Sequence, residues 1–365
     1  MAHRRPNLPD FPWDTIADDI ALAHRHPDGA CDLSVGTPVD PTPDIGQRAL
    51  TGAADSPGYP TVAGTPAMQQ AIIDYLQNRW RSVSLSPQAI MATIGSKEFV
   101  AQAPWLLGVG LGATVVIPEV AYPTYEVGAV MVGARVVRAD HPDALAGVTP
   151  DLIWLNSPSN PTGAVMSAAD LAGWVEFARS VPAVLAVDEC YGEFGWQADP
   201  VSVLDPRVNG GSLEGLIACF SLSKRSNLAG YRAGFLAGDP GIVQAMLGVR
   251  KHLGMMVPTP VQAAMVALLG DQGHVERQRQ LYLDRRSRLS AALLAAGFRI
   301  DQSQAGLYLW TTRGDSGRQA AHWLASRGLI VAPGDFYGPR GRDHVRIALT
   351  ASDERIDQAC ARLVV

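Results

Sequence analysis

Lys97, Lys224 and Lys251 are the only lysines in a chain of 365 residues, and the other 27 of its 30 basic residues are arginines. Chemistry that needs a side-chain amine, as nucleophile or as base, therefore has three candidates. Lys224 follows the uncharged apolar run 216–220 and sits in Ser221-Leu222-Ser223-Lys224. Lys97 lies in Gly95-Ser96-Lys97 at the start of a helical stretch, where free backbone amides attract an anion such as phosphate. Lys251 follows Arg250 in a helix-like stretch and reads as a solvated or substrate-facing charge. Two more apolar runs end in polar residues. Residues 151–155 lead into Asn156-Ser157-Pro158-Ser159-Asn160-Pro161-Thr162-Gly163, and 183–187 lead into Asp188-Glu189-Cys190-Tyr191. Such residue types are common in loops for backbone reasons alone. Three such loops in succession, one with a scarce lysine, point instead to a shared site.

The elements that must position these loops form a regular rhythm. Thr65 can cap a helix with Pro66 at its first position, and Met68, Ile72, Leu76 and Trp80 make one apolar stripe. Short apolar runs recur at 113–118, 151–155, 183–187, 216–220 and 234–237. Between them, Ser167 with Asp170 marks a helix start, followed by Leu171, Trp174, Val175 and Ala178 at helical spacing. Strands without polar alternation, separated by helices, predict a mostly parallel sheet covered on both faces. Ligands of such sheets bind beyond the strands' carboxyl ends, where the polar loops fall. After residue 270 the texture changes to an Arg-rich helix over 274–296, a strand at 306–310, a helix near 318–326, a strand at 345–349 and a final helix from Asp353. This reads as a smaller α+β domain, with the Pro-rich N-terminal arm returning to pack on it.

Composition excludes several classes. Apolar residues are 47% and charged residues 18%, as in a globular protein and unlike a disordered chain or a coiled coil. At about 150 residues per domain the length suggests two domains. The net charge of −5 offers no basic surface to nucleic acid or anionic lipid. The four cysteines, at 31, 190, 219 and 360, form no CxxC pair, which argues against a zinc site or a disulfide framework and fits a reducing compartment. Uncharged stretches at 99–118 and 253–270 are broken by Pro104, Gly108, Gly110 and Gly112, and by Pro258 and Pro260, so neither reads as a membrane span. Arg4-Arg5 is followed by Pro6, Pro9 and Pro12 and not by an apolar signal core, so the expected location is cytoplasmic. Gly108-x-Gly110-x-Gly112 precedes a strand instead of following one, so it is a turn and no dinucleotide fingerprint.

The motifs Asn160-Pro161-x-Gly163, Asp188-x-x-Tyr191, Ser221-x-Ser223-Lys224 and Gly230-x-Arg232 resemble the fold-type I, class I/II aminotransferases, which use pyridoxal 5′-phosphate (PLP). Gly58-Tyr59-Pro60 and Val345-Arg346-Ile347-Ala348 extend the resemblance over nearly the whole chain in the family order. More finely, the stretches 94–98, 223–232, 250–256 and 332–337 resemble a branch of succinyldiaminopimelate aminotransferases. The resemblance implies an α/β protein of the PLP-dependent transferase fold type I. Its large domain, 46–270, would hold a mostly parallel sheet between helices, and 1–45 with 271–365 would form the smaller α+β domain. Lys224 would hold the PLP aldehyde as a Schiff base and later act as base. Asp188 would keep the ring nitrogen protonated. Tyr191 and Asn160 would hydrogen-bond the ring oxygen, and Tyr122 would stack on the ring. Ser96, Lys97, Ser221 and Arg232 would bind the phosphate, with Tyr59 reaching across from the partner subunit of a homodimer. Arg346 would take the substrate carboxylate, with Gly36 and Asn160 beside it.

The implied reaction moves the amino group of L-glutamate to N-succinyl-2-amino-6-oxopimelate in lysine and diaminopimelate biosynthesis, ping-pong through pyridoxamine phosphate. That acceptor carries three carboxylates, so a second cationic contact is expected from Lys97, Arg250 or Lys251. Another amino-acid aminotransferase, or a carbon–sulfur lyase with the same PLP residues, is the alternative, because fold does not fix substrate. No metal, nucleic acid or membrane partner is expected.

Overall fold

The structure, a computed structural model, describes residues 8–364; the Arg4-Arg5 pair lies outside them. A seven-stranded sheet forms the platform of the molecule. Its strands are β1 (Ile90–Ile94), β2 (Thr114–Ile117), β3 (Arg135–Arg138), β4 (Leu152–Asn156), β5 (Val184–Asp188), β6 (Leu216–Ser221) and β7 (Ala233–Gly238). They are arranged in the order β1-β7-β6-β5-β4-β2-β3. Every neighbour from β6 through β3 is parallel, and β7 runs antiparallel to both β1 and β6. The parallel sheet read from the apolar runs is therefore present, with one reversed strand. Direction is not written in an apolar run. The connection from β6 to β7 holds only the short helix Leu222–Arg225 and turns, too little to cross over the sheet and return parallel.

Successive side chains of each strand enter two different cores. On one face, Ile153, Leu185, Val187, Ala218 and Phe235 pack against α3 (Pro66–Trp80), α6 (Ala168–Ser180) and α8 (Thr259–Leu269). On the other, Leu152, Trp154, Ala186, Ile217 and Leu236 pack against α4 (Ser96–Leu106), α5 (Thr124–Met131) and α7 (Pro240–Leu253). Burial on both faces is why these strands show no polar alternation. The capping signals act as read: Thr65 Oγ1 accepts from the Met68 amide, and Ser167 and Asp170 form a reciprocal capping box. Met68, Ile72, Leu76 and Trp80 are all buried.

A second, antiparallel sheet holds β8 (Arg299–Asp301), β9 (Tyr308–Thr312), β10 (Ala332–Pro333) and β11 (Val345–Ala348) in the order β10-β11-β9-β8. It packs with α9 (Gly273–Ala295), α10 (Gly317–Ala325) and α11 (Asp353–Leu363) around a core that includes Tyr282, Leu289, Leu324 and Ile356. The N-terminal segment lies against these elements. Cys31–Asp32 pairs in parallel with Leu329–Ile330, and α1 (Ala17–Ala23) shares a cluster with Ala325 and Ile330, whereas α2 (Asp44–Gly52) packs Ile45, Ala49 and Leu50 against the core of the large sheet. The edge strand β3 went unread because an arginine stands at each end, and β8 and β10 are too short to carry a pattern. No described helix is long and apolar enough to cross a membrane.

Leu185, fully buried at the centre of β5, reports on the sheet. Leu185→Ala is expected to destabilise the fold by about 2–5 kcal/mol through lost burial and the cavity left behind. Denaturant titration checks this, and an unchanged midpoint would contradict the assigned packing.

Candidate active site

The register of the large sheet brings the polar loops together. Asn156 at the end of β4 is paired with Asp188 at the end of β5, and Asp188 with Cys219 near the end of β6. Above these ends lies a cavity of about 480 Å³. Ser96, Lys97, Tyr122, Asn160, Asp188, Tyr191, Ser221, Lys224, Arg232, Arg346 and Gly36 all line it. Among the site residues read from the sequence, only Tyr59 is elsewhere: it is 95% exposed on this subunit, outside the cavity of its own chain.

Asp188 is buried and accepts two hydrogen bonds, from Tyr125 Oη at 2.9 Å and from the Cys190 amide at 3.1 Å. Burial pushes its carboxyl above the ordinary value, while the hydrogen bonds from Cys190 and Tyr125 pull the other way. No cation pairs with it among the described residues. Tyr125 is itself placed by Trp154 of β4, whose ring stacks on it at 5.0 Å between centroids. Lys224 Nζ, which lines the same cavity, donates to the Gly36 carbonyl. Desolvation lowers its pKa first of all, with Arg346 and Arg232 acting in the same sense and Tyr308 opposing them. A buried amine of lowered pKa is more often neutral, the form that can attack a carbonyl.

Arg346 stands in β11 and is 3% exposed. Its Nη1 donates to Asn160 Oδ1 at 2.8 Å and its Nη2 to the Ser34 carbonyl, while Nε is buried without a partner. The guanidinium lies 4.0 Å above the Tyr308 ring. Asn160 is held in turn through its amide, which donates to Asn156 Oδ1 at 2.7 Å. Tyr191 and Tyr308 share a hydrogen bond of 2.9 Å between their hydroxyls. A Cβ added at Gly36 would stand 2.0 Å from Tyr308 Oη, so this position admits only glycine unless the tyrosine moves. Tyr122 meets Tyr125 edge to face, and burial pushes its hydroxyl up to about 12.

At the opposite end of the cavity, Ser96 opens α4 with Gly95 before it at φ 70°. Arg232 presses its guanidinium on that glycine, where an added Cβ would lie 2.2 Å from Nη2. Arg232 holds a left-handed φ of 58°, a costly conformation for a residue with a Cβ and one that recurs at ligand clamps. Helix amides, Ser221 and Arg232 thus converge where an anion would sit.

Two sequence expectations need correction. Arg250 is not available as a second carboxylate contact. It is fully buried and paired with both oxygens of Glu98, at 2.8 and 3.1 Å. Lys251 is exposed on α7 and does not line the cavity. Of the three candidates only Lys97 does. The structure also adds Tyr125, Tyr308 and Asn156, which carried no role in the sequence reading. Tyr125 stands in Ala121-Tyr122-Pro123-x-Tyr125, yet nothing in that spacing says its hydroxyl, on α5, meets Asp188 at the end of β5.

Two measurements follow from this geometry. Because Lys224 reacts as the free amine and its pKa is lowered, reductive trapping by a small aldehyde at Lys224 should be half-maximal below pH 10.5; a midpoint at or above that value would contradict its burial. Gly36→Ala should displace Tyr308 and loosen both its hydrogen bond to Tyr191 and its packing against Arg346. The expected reading is a loss of stability of about 1–3 kcal/mol in denaturant titration, and an unchanged midpoint would contradict the close approach.

The class I and II aminotransferase family matches residues 30–363. A protein described as a probable aminotransferase, from Mycobacterium tuberculosis, is 55% identical over 98% of this chain and 85% of its own length. The 4-dedimethylamino-4-oxo-anhydrotetracycline transaminase OxyQ of Streptomyces rimosus is 51% identical over 98% of this chain and 99% of its own. An LL-diaminopimelate aminotransferase of Desulforudis audaxviator is 33% identical over 99% and 96%. The solved structure of an aminotransferase from Staphylococcus aureus superposes with a TM-score of 0.88 at 26% identity, covering 98% of this chain and 96% of that one.

The cavity itself fits the coenzyme of that family. It brings together an uncompensated buried carboxylate, Asp188, donors for a dianion at Ser96 and Arg232, and an amine of lowered pKa, Lys224. A ligand with a cationic ring nitrogen, a phosphate and an aldehyde satisfies all three. Motif order, fold and site chemistry agree: the chain belongs to the class I and II aminotransferases, enzymes that depend on pyridoxal 5′-phosphate.

Proposed function

We propose that the chain transfers the amino group of L-glutamate to N-succinyl-2-amino-6-oxopimelate, giving N-succinyl-LL-2,6-diaminopimelate and 2-oxoglutarate. The observation that carries this reading is the pair of cations on the cavity wall. Arg346 is buried and suited to one carboxylate, and Lys97, exposed, meets no carboxylate among the described residues. An acceptor with several carboxylates uses both. The likeness to an LL-diaminopimelate aminotransferase supports the same carbon skeleton.

In this reading Lys224, Asp188 and Tyr191 are catalytic. PLP, when bound, supplies the electron sink that makes the substrate's α-proton acidic. Lys224 Nζ anchors the coenzyme and, once released from it, takes that proton; its lowered pKa favours the neutral amine that can accept it. Asp188 holds a negative charge toward the ring nitrogen, and Tyr125 keeps the carboxylate in place from behind. Tyr191 and Asn160 face the ring oxygen, and Tyr122 covers the ring. Ser96, Ser221, Arg232 and the backbone amide of Lys97 at the helix start hold the phosphate, which leaves the Lys97 side chain to the substrate, and the partner subunit's Tyr59 completes the set in a homodimer. Arg346, Asn160 and the backbone at Gly36 orient the substrate carboxylate. Residues 46–270 would then act as the coenzyme-binding domain, and 1–45 with 271–365 as the part that carries Arg346.

A second reading has its own observation. Identity of 51% to OxyQ over nearly both full lengths favours a polycyclic ketone as acceptor. A panel with L-glutamate as donor separates the two. Turnover with the succinylated oxopimelate, at a kcat/KM well above that for the polycyclic ketone, is the expected result. Preference for the ketone, or pyruvate release from cystathionine, would overturn the reading. Lys224→Ala should lower turnover by about 100- to 10,000-fold with any of these substrates, because the amine that moves the proton is gone.

A further inference from the structure

Tyr308 opens β9 of the smaller sheet, is 4% exposed and lines the cavity. Its hydroxyl meets that of Tyr191, in the loop after β5, at 2.9 Å, and the two rings stand edge to face with centroids 5.6 Å apart. We propose that Tyr308 is a positioning residue for the reaction: its hydroxyl donates to Tyr191, and so aims and strengthens Tyr191 as the donor to the coenzyme's ring oxygen. The inference rests on the aminotransferase reading, in which Tyr191 faces that oxygen.

The direction of the hydrogen bond follows from what a phenol can do: it has one proton to give and two lone pairs to receive. Neither hydroxyl has a second hydrogen-bond partner among the described residues. Once the Tyr191 proton points at the ring oxygen, Tyr191 can only accept from Tyr308, so the Tyr308 proton lies between the two. Arg346 favours the same arrangement. Its guanidinium stands 4.0 Å over the Tyr308 ring, and a positive charge beside a phenol makes the hydroxyl a readier donor. Bonds in such a chain polarise one another, so accepting from Tyr308 makes Tyr191 the stronger donor in turn. Lys224, Asp188, Tyr122, Tyr282 and Tyr337 are the other titratable groups around the pair, and none of them bonds to either hydroxyl. Tyr308 itself is fixed on several sides. An added Cβ at Gly36 would stand 2.0 Å from its hydroxyl oxygen, and its backbone is paired with Ala348 of β11. A ring that only filled space would need no hydroxyl, and a buried hydroxyl is costly unless it is bonded. The one bond it makes crosses from the smaller sheet to the loop that carries Tyr191.

The test follows the visible absorption of the PLP-loaded enzyme against pH. Its midpoint reports loss of the proton that the coenzyme's ring oxygen shares with the Lys224 nitrogen. A hydrogen bond to that oxygen favours the form in which it carries its negative charge alone, and so lowers the midpoint; a weaker donor raises it. Tyr308→Phe keeps the ring beneath Arg346 and removes only the hydroxyl. It should raise the midpoint by about 0.2–0.5 pH units. Tyr191→Phe should raise it further. The double variant should match Tyr191→Phe alone, because the Tyr308 hydroxyl acts only through Tyr191. A role in packing alone would leave the midpoint in place. A Tyr308→Phe midpoint equal to or below the native one, or shifts that add in the double variant, would overturn the relay and leave the reading of Tyr191 standing. A midpoint unmoved by Tyr191→Phe would overturn both.

Discussion

Burying an acid and an amine in the same small space is the constraint on which this site is built. Desolvation disfavours the charged form of each, raising Asp188 and lowering Lys224, so each needs support from the chain. The support differs in kind. Asp188 receives a phenol and a backbone amide, both donors that favour the carboxylate. Lys224 meets a backbone carbonyl, with two arginines among its surroundings that disfavour a further positive charge. The acid is thus steadied as an acceptor awaiting a cation, and the amine is steered toward the neutral state. A rigid platform is required for this. The ends of β4, β5 and β6 provide it, because those strands are packed on both faces.

A second link joins parts of the chain that are far apart in sequence. Arg346 of β11 bonds to Asn160, in the loop after β4, and to Ser34, in the N-terminal segment. The same segment supplies Gly36, whose carbonyl meets Lys224 and whose missing Cβ makes room for Tyr308. The buried guanidinium is therefore tied to the amine through the short stretch from Ser34 to Gly36. In the function proposed above, one of the chain's own oxygens on Arg346 would give way to a substrate carboxylate, a bidentate partner of better match.

Much of this was legible beforehand, for reasons that can be named. Two-sided burial of the central strands leaves apolar runs, and their carboxyl ends announce themselves by a change to Asn, Asp and Ser. The scarcity of lysine narrows an amine role to three positions, and order along the chain picks Lys224. Neighbouring carboxylates show where that reading stops. Asp188 and Glu189 are adjacent, yet Asp188 lines the cavity while Glu189 turns away to accept from the Val203 amide. Period-two alternation says they face opposite ways, but not which one faces the ligand.

By itself, the amino-acid sequence determined the class of fold, the loops that meet at the cavity and the short set of lysines from which a reactive amine can be drawn. All of these depend on local pattern and on residue type. The tertiary structure alone decided the partners. Tyr125 reaches Asp188 across 63 positions of sequence, and Tyr308 reaches Tyr191 across 117. It also removed Arg250 from the candidates by pairing it with Glu98, 152 positions away, and left Lys97 as the one of the three that lines the cavity. Contacts of this kind arise from strand register and from the docking of one sheet against another. No spacing along the chain encodes them, because a hydrogen bond depends on where two atoms meet in space.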